Sequence, residues 1–470
     1  MILKTDLYQI TMAAAYVNSG MEDRRVTCEA FARRLPPQRR FMVMAGTEEI
    51  RDILSSIRFN RSDIEYLSEI PALRKAMTDK FVKWLENFRF TGDMWAMGEG
   101  EVVFAGEPLV QITAPLPEAQ LVETIILSVL NHDIKIASKA ARIVLAAQGR
   151  AVYDFGTRRT HHEAAIRAAR AAYLAGFDGT SNIEAGKQFG IPVSGTMAHM
   201  WVMSFDDERK AFSTFSKWVP GATMLVDTHD TLKGVENAAK VGVLDAIRID
   251  SGDLRRDSMV SRQLLDRAGK TGTKIIVSGD LDEHAILSLV SSGAPIDAFG
   301  VGTKLAVSDD VPSLGIVYKI VYDDSSNKPL MKLSPGKASM PGRKRVFLDQ
   351  RNGSWVHLVA LDGAVEDDSC ELTQLMDCCL RRGRKVDGTR IGLPAMRSYC
   401  SANLSSLASL PLGYDLSSLD PGTEVPVRMH ESLREAHEKC AHQCCDKWHM
   451  WPHPDVDRCP RCGMPGRESE

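Results

Sequence analysis

The 470-residue sequence has little of several features that would place it in a special class of protein. It contains no run of about 18 apolar residues, so we expect no membrane-spanning helix and no membrane partner. Its 58 basic and 61 acidic residues nearly cancel, which excludes a general electrostatic attraction to nucleic acid. The opening MILKTDLYQITM lacks the basic and apolar regions of a signal peptide, and we therefore expect a cytoplasmic protein.

A glycine-rich GxGxxG motif after an early strand is also missing, which disfavours an open doubly wound dinucleotide-binding sheet. What is present is an ordinary globular composition, with 44% hydrophobic and 25% charged residues. This length is enough for two or three domains. The sequence therefore predicts a multi-domain globular protein, and its function must be sought in local motifs.

The middle of the chain repeats one pattern, in which a short apolar run ends in small, acidic or hydroxyl residues. The runs are VYDFG (152–156), IPVSGT (191–196), MLVDTHD (224–230), AIRIDSGD (246–253), IIVSGD (275–280) and AFGVGT (298–303). Helix-like segments separate them, which is typical of parallel β/α units. We predict an irregular α/β barrel whose strand ends carry the active site, with an open doubly wound sheet as the alternative.

The flanking regions predict an α/β N-terminal domain that the C-terminal part completes. VYKIVYD, KPLMKLS and RKRVFLD, from residue 317 onward, are typical of antiparallel strands that return to the N-terminal segment. Residues 400–425 are rich in Ser, Leu and Pro and are predicted to form a loop. The predicted units are residues 1–115 (N-terminal domain), 116–315 (barrel with the active site), 316–435 (return segment) and 436–470 (zinc-knuckle-like segment).

The strand-end loops indicate a phosphate-bearing ligand. Glycines in SGTMAH, SGD and GVGT allow backbone amides to approach a phosphate. Arg248 adds a planar cation for a carboxylate or phosphate. Four acidic residues can hold a hard cation or ribose hydroxyls; they are Asp227, Asp230, Asp250 and Asp280. Each loop alone is weak support, but their succession favours a phosphate-binding barrel over coincidence.

Two further motifs fit an aromatic acid. In DFGTRR, a ring can stack on Phe155 while Arg158 or Arg159 pairs with a carboxylate; the alternative is a surface arginine pair. GFDGTSN supplies glycines and hydroxyls for a ligand, although by itself it is also a helix C-terminal turn. His199, within SGTMAHMW, is either a satisfied core residue or a nucleophile at the rim of the phosphate site.

The cysteines cluster at the C-terminus, where disulfides are not expected in a chain without an export signal. CAHQCC and CPRC are instead typical of a tetrahedral structural zinc site. We predict the ligands Cys440, Cys444, Cys459 and Cys462. Cys445, His442 or His449 remain alternatives for one position, and reduced thiols in a flexible tail are the alternative to any metal. The tail is not strongly basic, so we expect no nucleic-acid partner.

Taken in order, these motifs resemble one known family. TDLYQITM, FARRLPP, DFGTRR, GFDGTSN, IPVSGTMAH, VDTHDT, RIDSGDL, VSGDLDE and FGVGTKL are similar to nicotinate phosphoribosyltransferases. The resemblance implies a type II phosphoribosyltransferase fold and the conversion of nicotinate and phosphoribosyl pyrophosphate to nicotinate mononucleotide and pyrophosphate. It also implies Mg²⁺ and ATP hydrolysis coupled through a phosphorylated histidine, which matches His199.

The resemblance assigns a role to each matching residue. It places His199, Arg248 and Asp250 in catalysis, and Phe155 on one face of the pyridine ring with Tyr8 of a neighbouring subunit on the other, which implies a homodimer. The carboxylate and ribose would be surrounded by Arg158, Arg248, Ser194, Gly195 and Thr196. The ribose and phosphates would be held by Asp250, Ser251, Gly252, Gly279, Asp280, Gly302 and Thr303. Ser181 stands where related nicotinamide enzymes have an Asp, and therefore favours an acid substrate.

Two departures and three alternatives accompany this reading. His229 occupies a position where the family commonly has Tyr, and many members lack the terminal cysteines. Nicotinamide or quinolinate phosphoribosyl transfer is the first alternative. A zinc-dependent binding protein with an inactive barrel is the second. A phosphate-binding aldolase is disfavoured because Lys274 and Lys304 are poorly placed for a Schiff base.

Overall fold

The protein is described by a computed structural model, in which residues 2–37, 39–334, 337–351, 355–365, 372–388, 391–408 and 427–447 are described. For residues 442–447 the description covers the backbone alone.

The helices are α1 (Leu7–Asn18), α2 (Thr47–Ser56), α3 (Arg61–Glu69), α4 (Asp79–Asn87), α5 (Leu116–Leu121), α6 (Glu123–Ala147), α7 (His162–Leu174), α8 (Ile183–Phe189), α9 (His199–Met203), α10 (Glu208–Trp218), α11 (Thr231–Ala239), α12 (Leu254–Arg267), α13 (Glu283–Ser291), α14 (Thr303–Ala306), α15 (Leu393–Ala408) and α16 (Glu431–Lys447). The strands are β1 (Arg25–Ala32), β2 (Met42–Val43), β3 (Asp93–Met97), β4 (Val102–Val103), β5 (Val110–Pro115), β6 (Ala151–Asp154), β7 (Gly179–Thr180), β8 (Thr223–Leu225), β9 (Ala246–Ile249), β10 (Lys274–Ser278), β11 (Ala298–Val301), β12 (Ile316–Asp323), β13 (Lys328–Pro329), β14 (Lys344–Asp349), β15 (Val356–Leu361), β16 (Leu372–Gln374), β17 (Met376–Arg381), β18 (Arg384–Lys385) and β19 (Val427–Met429).

The largest sheet takes strands from both ends of the chain. Its order is β13-β12-β1-β5-β3-β17-β18, and β1 pairs antiparallel with β12 from Val26↔Asp323 to Ala32↔Ile316. Almost every residue of β1 is buried, so both of its faces are covered; on one face the buried Glu29 is paired with Lys344. The predicted return of the chain to the N-terminal segment is therefore confirmed. The boundaries of the four predicted units remain predictions.

The predicted barrel is a curled parallel sheet with one gap. Its six strands have the order β7-β6-β11-β10-β9-β8. Strand β6 is the first of them in the sequence and β11 is the last, and these two pair with each other as the first and last strands of a barrel do. No strand among the described residues joins β7 to β8. The prediction of an irregular α/β barrel thus holds for a curled half-barrel sheet. The gap remains because IPVSGT, predicted as a strand, makes a single bridge from Val193 to Thr180.

Helix α6 connects β5 of the large sheet to β6 of the parallel sheet. It packs against α7 and α13, and its inner face carries two buried cations. Lys139 Nζ and Arg142 Nε lie 2.7 Å and 2.8 Å from the carboxylate of Glu283 at the start of α13. Charges this deeply buried are tolerated because they are paired.

Two predictions near the C-terminus are corrected. KPLMKLS forms only the two-residue strand β13. Residues 400–408, predicted as loop, belong to α15. Its buried residues Met396, Cys400, Leu404 and Leu407 recur at helical spacing, which stabilises a helix despite the serines between them.

The predicted zinc segment lies mostly outside the described residues. Cys459 and Cys462 are beyond them, whereas Cys440 and Cys444 stand four residues apart on α16. Cys440 is buried, with its Sγ 3.5 Å from the carbonyl oxygen of Pro329. Within the described ranges no group of three or more His, Cys, Asp or Glu residues is arranged to hold a metal ion. Over the same ranges, no helix has both the length and the apolar character needed to cross a bilayer.

Candidate active site

One cavity lies at the carboxyl ends of the parallel strands, with a volume of about 790 Å³. It is lined by Phe155, Thr157, Arg158, Arg159, Ser181, Gly195, Thr196, Met197, Ala198, His199, Met200, Arg248, Asp250, Ser278, Gly279, Asp280, Gly300, Gly302 and Thr303. These residues follow β6, β7, β9, β10 and β11 or belong to the segment that crosses the gap. Parallel strands bring their carboxyl ends to one edge, which explains why motifs distant in sequence meet here.

Phe155 forms an apolar surface of the cavity. Its backbone N–H donates to the Val301 carbonyl at 2.8 Å, which fixes the residue beside β11. A Cβ atom at Gly300 would lie 2.4 Å from two ring carbons of Phe155, so the ring packs directly on the glycine backbone. The guanidinium carbon of Arg248 is 5.8 Å from the ring centroid. The cavity therefore places a flat apolar face beside a cation.

Arg248, on β9, ties the crossing segment to the sheet. Its Nη1 donates to the Thr196 hydroxyl, and its Nη2 lies 3.1 Å from Asp250 Oδ2. Asp250 Oδ1 accepts a hydrogen bond from the Ser278 hydroxyl at the end of β10. The side chains of Arg248 and Asp250 are only 12% and 26% exposed. This pair is thus held in a fixed geometry while one edge still faces the cavity.

His199 begins α9 at the rim of the cavity, and 40% of its side chain is exposed. Its Nδ1 lies 3.1 Å from Thr228 Oγ1, and its Nε2 lies 3.8 Å from Asp250 Oδ2. The alternative that His199 is a core residue is therefore wrong. An imidazole in this position is accessible to a ligand and held at one nitrogen.

Asp154, at the end of β6, organises two neighbouring loops. Its carboxylate accepts from the Gly156 N–H at 2.8 Å and from the Thr180 hydroxyl at 2.7 Å. Its carbonyl accepts from the Ser181 N–H at 2.8 Å. Burial raises the pKa of this carboxyl, while the two donors favour the charged form. Asp154 thereby sets the spacing of Phe155 and Ser181.

The loop after β10 requires glycine at position 279. Gly279 has φ +97°, and a Cβ there would lie 2.2 Å from the Asp250 carbonyl oxygen. The backbones after β9 and β10 therefore approach more closely than any other residue would allow. Gly302 and Thr303, at the start of α14, complete the same side of the cavity.

The structure brings most predicted site residues together. The predicted residues that line the cavity are Phe155, Arg158, Ser181, Gly195, Thr196, His199, Arg248, Asp250, Gly279, Asp280, Gly302 and Thr303. Ser194 is adjacent, with its N–H bonded to the Thr180 carbonyl at 3.0 Å. Ser251 and Gly252 are exposed, and the Ser251 hydroxyl donates to Asp227 at 2.6 Å. Tyr8 lies on α1, 48% exposed, and does not line this cavity.

Comparison with known proteins identifies the family. Residues 3–131 match the nicotinate phosphoribosyltransferase (NAPRTase) N-terminal domain, and residues 151–322 match the nicotinate phosphoribosyltransferase (NAPRTase) family. The chain is 45% identical over 359 residues to nicotinate phosphoribosyltransferase pncB2 of Mycobacterium tuberculosis, covering 75% of this chain and 76% of that protein. The chain belongs to the nicotinate phosphoribosyltransferase family. A Bacillus subtilis nicotinate phosphoribosyltransferase is 43% identical over 358 residues, covering 73% and 72% of the two chains.

Solved structures agree with this family fold. The human nicotinic acid phosphoribosyltransferase superposes with a TM-score of 0.80 at 24% identity, covering 93% of this chain and all of that one. A nicotinate-nucleotide pyrophosphorylase from Pyrococcus furiosus superposes with a TM-score of 0.70 at 26% identity, covering 86% and 94% of the two chains. At 24% identity, the human structure supports the fold alone.

Sequence reasoning on this family member missed four residues that shape the site: Asp154, Thr228, Ser278 and Gly300. Each stands within a motif already singled out: DFGTRR, VDTHDT, VSGD or GVGT. The motifs therefore marked the right loops. Nothing in the sequence showed which residues of these motifs contact other loops.

A second cavity of about 790 Å³ shows that size alone does not identify the site. It lies between α2, α7 and the segment at 391–393, and two of the arginines that line it are paired with glutamates. Arg167 lies 2.6 Å from Glu49, and Arg170 lies 3.1 Å from Glu48. The cavity at the strand ends differs because glycine loops and the Arg248–Asp250 pair converge there.

Proposed function

We propose that this protein converts nicotinate and phosphoribosyl pyrophosphate to nicotinate mononucleotide and pyrophosphate, a salvage step of NAD biosynthesis. The observation that carries the proposal is that Phe155, Arg248 and the glycine loops face one cavity. A flat anion and a sugar phosphate can therefore bind side by side. The family membership supports the same reaction.

The nicotinate ring stacks on Phe155 in this proposal, and its carboxylate pairs with Arg158 and Arg248 beside Ser194–Thr196. Ser181 lies in the same cavity and brings no negative charge toward that carboxylate. An Asp there would repel the acid and accept a hydrogen bond from an amide. This difference favours nicotinate over nicotinamide.

Asp250, Ser251 and Gly252 bind the ribose, and the loops of Gly279, Asp280, Gly302 and Thr303 hold the 5′-phosphate. The pyridine nitrogen then attacks the anomeric carbon with its own lone pair, and the bond from that carbon to pyrophosphate breaks. The protein supplies proximity and charge stabilisation, so no side-chain nucleophile is needed for this step.

The residues present fit Mg²⁺, which binds through one or two carboxylates together with substrate phosphates. Asp227 Oδ1 is buried without a hydrogen-bond partner among the described residues, while Asp227 Oδ2 accepts from the Asp250 N–H at 3.0 Å. Asp227 and Asp250 are the carboxylates we propose for the ion. When bound, Mg²⁺ neutralises charge on the pyrophosphate leaving group.

ATP hydrolysis is coupled to transfer through phosphorylation of His199 in this proposal. His199 is exposed at the rim, and one of its nitrogens faces the Arg248–Asp250 pair. A phosphoryl group on that side would place added negative charge next to the substrate loops. This charge can alter binding of phosphoribosyl pyrophosphate or assist loss of pyrophosphate.

Incubation of the purified protein with phosphoribosyl pyrophosphate, Mg²⁺ and ATP, and with nicotinate, nicotinamide or quinolinate, tests the proposal. We expect nicotinate mononucleotide from nicotinate alone, faster formation with ATP, and one phosphoryl group on His199 by mass analysis. His199→Ala should abolish protein phosphorylation and ATP stimulation yet leave slow transfer, because the anomeric substitution does not use the imidazole.

His437→Ala is the matched control, since this histidine lies on α16 in another part of the fold. Unchanged ATP stimulation in His199→Ala would remove His199 from the mechanism. A product from nicotinamide or quinolinate instead would select the first alternative. No product from any of the three pyridines would favour the inactive-barrel alternative.

We propose a homodimer in which Tyr8 of one subunit covers the nicotinate ring in the other. Tyr8 is half-exposed and lies outside the cavity of its own chain, which supports a role in the active site of a neighbouring subunit. Tyr8→Ala and Phe155→Ala should each have very low activity alone. Mixed dimers should regain about a quarter of normal activity, because half of them are hybrids with one intact site. Failure to recover would place Tyr8 outside the neighbouring site.

We also propose a structural zinc ion bound by Cys440, Cys444, Cys459 and Cys462. Cys440 and Cys444 are four residues apart along the backbone of α16, about one helical turn, and this spacing supports the assignment of both as ligands. Metal analysis should find about one zinc per chain and none in Cys459→Ser/Cys462→Ser. Equal zinc in both proteins would contradict the assignment.

A further inference from the structure

The two nitrogens of His199 have different surroundings. Nδ1 is 3.1 Å from the hydroxyl of Thr228, which follows β8. Nε2 is 3.8 Å from Asp250 Oδ2, beyond hydrogen-bond distance. His199 lies in the segment that follows β7, and Thr228 follows β8; these are the two edge strands of the parallel sheet. The contact between the two residues therefore bridges the gap between β7 and β8.

We assign the ring proton to Nδ1, because that nitrogen is the one with a partner at hydrogen-bond distance. Arg248 Nη2 lies 3.1 Å from the same Asp250 oxygen that faces Nε2, and Ser278 donates to the other oxygen of Asp250. Each Asp250 oxygen therefore already faces another donor, and neither lies within hydrogen-bond distance of Nε2, whereas the Thr228 hydroxyl can accept a hydrogen bond from Nδ1 at normal length. In neutral histidine, the hydrogen bond made by one nitrogen decides which nitrogen keeps its lone pair. The lone pair accordingly lies on Nε2, on the side of Arg248.

We propose that Thr228 is a positioning residue that directs phosphorylation to Nε2 of His199, an inference that rests on the phosphohistidine of the proposed function. The Nε2 lone pair forms a bond to the γ-phosphorus of ATP. The bond from that phosphorus to the bridging oxygen breaks, and its electron pair leaves with ADP. The proton on Nδ1 stays in place and continues to donate to Thr228, so the phosphorylated ring carries a positive charge.

The same hydrogen bond acts when the phosphoryl group is released. Water attacks the phosphorus, the N–P bond breaks, and its electron pair returns to Nε2. Because Nδ1 has kept its proton, the leaving group is neutral imidazole, and the protons of the water leave with inorganic phosphate. Thr228 therefore influences both the site of phosphorylation and the lifetime of the phosphorylated enzyme.

The test is to identify the phosphohistidine isomer by ³¹P NMR and isomer-specific antibodies after incubation with ATP. The wild-type protein should carry phosphate on Nε2 alone. Thr228→Val, which keeps the size of the side chain but removes the hydroxyl, should give a mixture of Nε2 and Nδ1 phosphate. Its dephosphorylation should be slower by roughly tenfold, because Nδ1 holds its proton less firmly without the hydroxyl acceptor and the unprotonated ring is a poorer leaving group. Thr228→Ser restores the hydroxyl and should restore the single isomer.

The outcomes separate this inference from the function on which it rests. Wild-type protein phosphorylated on Nδ1 would overturn the inference and leave the phosphohistidine intact. Wild-type protein without any phosphohistidine would overturn the ATP coupling, and the inference with it. A folded Thr228→Val protein with Nε2 phosphate alone and unchanged dephosphorylation would show that Thr228 does not direct the reaction. If Thr228→Val fails to fold, the wild-type protein and Thr228→Ser still show which nitrogen of His199 carries the phosphate.

Discussion

Gly300→Ala is expected to lower kcat/KM for nicotinate by about 100-fold, because a misplacement of about 1 Å at a reacting ligand has that effect. The new Cβ would lie 2.4 Å from two carbons of the Phe155 ring, a distance that forces the ring to move. The ring must move away from position 300, and the open space beside it is the cavity where the proposed nicotinate binds. Steady-state kinetics with varied nicotinate would measure the loss.

Two comparisons separate this effect from general damage. Gly272→Ala is the matched control, because a Cβ at Gly272 meets no atom within 4 Å. On a Phe155→Ala background, Gly300→Ala should add little, since the clash has been removed. The melting temperature of Gly300→Ala should remain close to that of wild type, because the ring moves into open space. A normal kcat/KM in Gly300→Ala would contradict the proposed role of Phe155.

Arg248→Ala is expected to lower kcat/KM by about 30- to 5,000-fold, because truncating one partner of a largely buried charge pair costs about 2–5 kcal/mol. The change removes the contacts of the guanidinium with Thr196 and Asp250 and its approach to the Phe155 ring. It also leaves Asp250 without a compensating cation beside the proposed ribose site. Kinetics with nicotinate and phosphoribosyl pyrophosphate varied separately would show which substrate is affected.

Arg248→Lys should recover only part of the activity, because an ammonium group is a point charge and cannot span the same three contacts. Arg267→Ala is the matched control, since Arg267 is an exposed arginine at the other end of the same β/α unit. Activity of Arg248→Ala within threefold of wild type would be incompatible with the proposed carboxylate and ribose site.

Several elements were predictable because local pattern and burial agreed. The apolar runs at β6, β9, β10 and β11 end in glycine and charged residues, of which Asp250, Gly279, Asp280 and Gly302 line the cavity. Predictions failed where burial in the folded protein outweighed composition. Residues 400–408 read as a serine-rich loop, yet the spacing of Cys400, Leu404 and Leu407 gives a helix one buried face. The sequence IPVSGT is typical of a strand, yet its small residues cross the gap between β7 and β8 instead of pairing along a neighbouring strand.

The sequence by itself determined the family, the parallel β/α succession and the loops that carry the site, because parallel units place successive strand ends on one edge. Only the tertiary structure decided where the half-barrel is open and which atoms meet across it. Thr228 contacts His199 from 29 positions away, and Arg248 contacts Thr196 from 52 positions away. Such contacts depend on the curvature of the sheet and on side-chain directions, which no local pattern of residues encodes.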